Sequence, residues 1–192
     1  ISEILGNLEK IRDMLSGIPE PTQSAVSEAR QINAVFNSID RLEVRGRDSA
    51  GISLLFILDE AAFSAFESKA AEMGLQPGLQ ARAGQGLLVN KSISIRHSTD
   101  SDGRRQTAIA MTYKVAAEIG SLGDNIAFLR RELNTDRLFQ LLLNREPRYF
   151  TVSAHTRWAS VGEINEANCH PVDACTETTI SQDTGIIHVS LN

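Results

Sequence analysis

Apolar residues near the start of the chain recur at helical spacing. Ile4, Leu5, Leu8, Ile11 and Leu15 share a stripe that Gly17 and Pro19 end, so a short amphipathic helix is predicted. Beyond Pro21, a second stripe of Val26, Ala29, Ile32, Phe36 and Ile39 predicts a longer helix running into Arg41. The period then changes. Residues 51–58 (GISLLFIL) are almost continuously apolar over the length of a strand, as in a core strand covered on both faces. Phe63, Phe66, Ala70 and Met73 predict a helix closed by Gly74. Residues 87–89, and Ile93 with Ile95, predict two short strands meeting near Asn90 and Lys91. Ile109, Tyr113, Ala116 and Ile119 again fit helical spacing, ended by Gly120. Ile126, Leu129 and Leu133 predict another helix, and Thr135 is expected to cap a last one through Leu138, Leu141 and Leu142. Residues 149–154 return to strand and carry His155 and Arg157 at their end, and 186–191 read as a further strand. No internal repeat or low-complexity tract interrupts this order.

With 192 residues, 42% of them hydrophobic, the chain is long enough for one domain with its own core. The net charge of -5 comes with no basic block, which leaves nucleic acid without an electrostatic footprint. No apolar run approaches the roughly 18 residues of a membrane span, and the start lacks a signal-peptide pattern. A cytoplasmic chain without a membrane partner is expected. Cys169 and Cys175 are too few for a disulfide scaffold and suit reduced thiols, although a bridge between the two stays open. Cys169, His170, Cys175 and His155 match no common zinc spacing, and Gly84-Gln85-Gly86 is not a nucleotide loop. Neither a metal nor a cofactor is expected.

Two blocks carry the chemistry: 41–51 (RLEVRGRDSAG), where the second helix meets the first strand, and 155–162 (HTRWASVG), followed by 168–171 (NCHP). Together they resemble the glutaminase domain of class II glutamine amidotransferases, over about positions 24–58 and 148–192. Trp158 and the DSAG ending are most similar to the branch that aminates fructose 6-phosphate in amino-sugar synthesis. The resemblance implies an α+β fold, the four-layer αββα sandwich of N-terminal nucleophile hydrolases. It also implies hydrolysis of the glutamine side-chain amide, with ammonia passed to a sugar-phosphate isomerase-type domain farther along a larger protein, and a homo-oligomer. Against that family, 1–23 reads as a helical extension and 60–148 as a mainly helical insertion.

The same resemblance assigns residues. Arg157 would hold the α-carboxylate of glutamine, a task that suits a planar guanidinium because it can form two parallel bonds. Trp158 and His170 would line the site, and Arg45 and Gly46 would lie on the loop against the nucleophile. Asn192 would supply half of the oxyanion hole. The family's nucleophile is an N-terminal cysteine, whereas position 1 here is Ile1. The 192-residue chain alone is therefore expected to be inactive. The resemblance also places sheet neighbours outside positions 1–192, so the strands at 51–58 and 186–191 are expected to expose their edges and drive self-association. The competing expectation is a non-catalytic scaffold or interaction module that keeps the fold.

Overall fold

The computed structural model describes residues 2–42, 48–84, 88–116, 123–157, 164–166 and 168–172. Among them are six helices and four strands: α1 (Ser2–Leu15), α2 (Gln23–Leu42), β1 (Ser49–Asp59), α3 (Glu60–Glu72), α4 (Gln76–Ala83), β2 (Ile93–Thr99), β3 (Arg105–Ala116), α5 (Asp124–Asn134), α6 (Arg137–Leu143) and β4 (Tyr149–Arg157). The strands form one antiparallel sheet in the order β2-β3-β1-β4. The α+β class expected from the sequence holds. Trp158, Arg45, Gly46, Cys175, Asn192 and the strand expected at 186–191 lie outside the described residues.

Strand geometry sends alternate side chains to opposite faces. One face carries Ile52, Leu54, Phe56 and Leu58 of β1, Ile109, Met111 and Tyr113 of β3, Ile93 of β2, and Phe150 and Val152 of β4, and the helices close over it into a single apolar core. The other face carries mostly smaller or more polar groups, Gly51, Ser53, Ala108, Ala110, Thr112, Lys114, Thr151 and Ser153, with Leu55 and Ile57 of β1 among them. His155 and Arg157 share that second face, in register with Gly51 and Ser49.

Four expectations are corrected. Residues 105–116 form β3, a strand, not a helix. Ile109, Tyr113 and Ala116 do fall at helical spacing, but the strand is covered on both faces, so apolar residues occupy both parities and blur the distinction between the two periods. Residues 88 and 89 are not strand. Lys91 adopts φ 63 in a tight turn, and Ile93 pairs instead with Met111 of β3. Thr135 ends α5, and Asp136 caps α6 by accepting from the backbone N–H groups of Leu138 and Phe139 at 3.0 and 3.3 Å. Finally, β1 has no open edge, because β3 and β4 pair it on both sides. The segment 60–148 thus supplies an interior strand to the same sheet.

The stripe that announces α1 is buried only in part: Ile11 and Leu15 pack against the core. Ile4, Leu5 and Leu8 face outward, exposed by more than half. The inner face holds Met14 and Asn7, whose Oδ1 accepts from Asn33 and Asn37 of α2 at 3.2 and 2.7 Å. Arg130 of α5 completes this polar seam by donating to Asn33 and Asn37, each at 2.9 Å, with its guanidinium over the Phe36 ring.

Candidate functional site

The two sequence blocks meet at one end of the sheet. Antiparallel pairing of β1 with β4 sets Ser49 opposite Arg157 and Gly51 opposite His155. On the other side, β3 sets Lys114 opposite Gly51 and Ala116 opposite Ser49. Lys114, Gly51 and His155 therefore form one row across three strands, with Arg157 one row farther out. The backbone N–H of Asp48 donates to the Arg157 carbonyl at 3.1 Å and carries the pairing one residue beyond the strand.

Residues 164–166 and 168–171 lie against this end. Arg157 donates from its guanidinium to the Asn168 carbonyl at 2.7 Å, and Lys114 donates from Nζ to the Glu166 carbonyl at 3.1 Å. The rings of His155 and His170 sit with centroids 4.6 Å apart, tilted by 43°. Gly51 lies beneath the His170 carbonyl oxygen, and a Cβ built there would overlap that oxygen. Only glycine lets the two backbones approach this closely. A second tie comes from Asn90: its N–H donates to the Glu166 carboxylate at 3.0 Å, and its Oδ1 accepts from the Lys114 N–H at 3.2 Å.

Burial shapes the charges. It pulls the His155 imidazole below its ordinary range, helped by His170 and Arg157. Burial likewise lowers His170, with Arg157 and Lys114 adding to it. The Lys114 ammonium is lowered by burial, with Cys169 and Glu166 acting in the opposite sense. Cys169 is 1% exposed, and its Sγ points at the carbonyl oxygens of Ala50, His170 and Val115 at 3.3, 3.4 and 3.7 Å. Burial pushes its thiol up. Carbonyl acceptors favour the S–H form, so Cys169 is a packed thiol and not a nucleophile in this arrangement.

Among curated proteins, the chain is 37% identical over 73 residues to the glutamine–fructose-6-phosphate aminotransferase (isomerizing) of Thermotoga maritima. The chain is loosely related to that enzyme. The match covers 38% of this chain and 12% of the relative, so the chain spans about an eighth of that protein's length. No family model and no solved structure matches the chain.

Of the residues singled out in the sequence, the fold brings Arg157 and His170 together with His155. Lys114, Gly51 and Asn90 were not foreseen as part of the site. Lys114 left one trace in the sequence, a single charge inside the apolar run 108–116, and the helical reading of that run hid which strand it faces.

Proposed function

We propose that the chain forms the glutamine-hydrolysing part of a glutamine-dependent amidotransferase that supplies ammonia to a sugar-phosphate-aminating domain of a larger protein. The observation that carries this reading is the register that sets the DSAG block directly against the HTR block, Ser49 opposite Arg157 and Gly51 opposite His155. The local likeness to an aminotransferase that uses glutamine supports it.

In this reading Arg157 holds the α-carboxylate of glutamine while keeping its bond to the Asn168 carbonyl, since a planar fork of five donors can serve both. His170 and Trp158 border the bound amino acid, Arg45 and Gly46 close the site from the loop before β1, and Asn192 contributes an oxyanion donor. A thiolate attacks the amide carbon, hydrogen bonds stabilise the resulting oxyanion, and collapse with a proton passed to the nitrogen expels ammonia and leaves a thioester. Water then cleaves the thioester to release glutamate and return the thiol. Cys169 does not supply that thiolate, because it is turned into backbone carbonyls. The four-layer sandwich belongs to the same reading. On the face opposite the helices, Leu55 and Ile57 stand among Gly51, Ser53, Ala108, Ala110 and Thr112, an apolar surface on which a second sheet can lie at about 10 Å.

Calorimetric titration with glutamine tests the assignment. A charged hydrogen bond contributes about 1.5 to 3 kcal/mol, so Arg157→Ala should weaken binding by about one to two orders of magnitude, and Arg157→Lys should restore little of it. Equal affinity for the wild type and Arg157→Ala would remove Arg157 from the site. A folded wild type that takes up no glutamine would favour the scaffold reading instead.

A further inference from the structure

Lys114 sits at one end of the three-strand row and is 1% exposed, and its ammonium donates to the Glu166 carbonyl at 3.1 Å. Burying this cation costs stability even with the Glu166 carboxylate near enough to attract it, and an apolar side chain of similar shape would pack there at lower cost. What the charge does secure is the position of the segment above it. From one face of the sheet, Lys114 holds Glu166, Gly51 accommodates the His170 carbonyl and Arg157 holds Asn168. Asn90 ties the same two partners from the side, bonding to the Glu166 carboxylate and to the Lys114 backbone.

We propose that Lys114 is a positioning residue of this site, whose buried ammonium anchors Glu166 and so fixes where Asn168 and His170 stand relative to Arg157 and His155. For the identity of the bound molecule, this rests on the glutamine reading above. The ammonium does not touch the substrate. It acts through the Glu166 carbonyl on a short segment whose next contacts are the Arg157 guanidinium and the tilted imidazole pair. Loss of the anchor releases His170 from His155 and changes the orientation of Arg157.

Two measurements on the full chain test this: the proton NMR titrations of His155 and His170, and calorimetric titration with glutamine. In Lys114→Met, the His170 titration should move to higher pH and the mutual ring-current shifts of the two histidines should shrink. Glutamine affinity should fall at least about tenfold. Gly51→Ala, which displaces the His170 carbonyl while keeping the lysine, should reproduce the loss of ring-current shift. If Lys114→Met does not fold, Lys114→Gln is read in the same way. Histidine spectra in the folded lysine variant that match the wild type would overturn the proposal, as would changed spectra with undiminished glutamine affinity. A wild type that does not bind glutamine, combined with a lysine variant that moves both histidines, would sink the functional reading and support the anchor.

Discussion

Glu28 lies on the buried face of α2 with 3% exposure, and its Oε1 accepts from the Ser24 hydroxyl at 2.8 Å. Its Oε2 is buried without a hydrogen-bond partner among the described residues. Burial raises the carboxyl to about 7, with the Ser24 bond acting weakly the other way. The sign follows from linkage. A carboxyl whose folded value is raised keeps its proton while the unfolded chain loses one, so stability is full below the unfolded value and is lost as pH rises toward 7. A shift from 4.5 to about 7 corresponds to about 3 kcal/mol. Glu28→Gln should therefore raise the melting temperature above about pH 7 and leave it nearly unchanged below about pH 4.5. Thermal melts across that range check this, and a pH-independent difference would place the carboxylate in contact with water.

At the scale of elements, Asp136 joins α6, α4 and β3. It caps α6, accepts from Arg82 of α4 at 3.0 and 2.6 Å, and accepts from the Tyr113 hydroxyl of β3 at 2.7 Å. Burial opposes its charge, but the bonds from Arg82 and Tyr113 hold the carboxyl below its ordinary range. Removing one partner of a buried pair leaves the other charge uncompensated, at about 3 to 5 kcal/mol. Asp136→Ala should lower the unfolding free energy by that order in urea titrations, whereas an exposed pair such as Arg41 with Glu3 contributes at most about 1 kcal/mol. A loss below about 1 kcal/mol for Asp136→Ala would mean that Arg82 finds water in its place. This junction was partly legible. An acidic residue before an apolar run signals a cap, yet Thr135 and Asp136 are both suitable cap types, and only the Arg82 and Tyr113 contacts select the second.

For the whole molecule, two groups of titrations oppose each other. His155 and His170 are held below their ordinary values, so their contribution is full above about pH 6.5 and is lost as pH falls through the folded values. Glu28 acts in the reverse sense over an overlapping window. With Glu28→Gln removing the opposing group, stability should rise with pH between about 5 and 6.5, read as melting temperature. A flat or falling profile in that variant would contradict imidazoles held below their ordinary range. The described helices of the molecule include none long and apolar enough to cross a membrane.

Local sequence was enough to determine most elements. α2, β1, α3, α5 and β4 follow from apolar spacing because each buries one stripe, or one whole strand, against a single core, and the DSAG and HTR blocks marked the strand ends that carry the site. Tertiary structure alone decided the rest. The segment 105–116 is a strand because β1 and β2 pair it from both sides, and a segment buried on both faces loses the alternation by which a strand is recognised. α1 turns Asn7 inward because Asn33 and Asn37 satisfy it there, which no spacing rule can foresee. The row Lys114, Gly51 and His155 joins residues far apart in the chain, and only the register of three strands brings them together: pairing is a relation between segments, and no segment encodes its partner by itself.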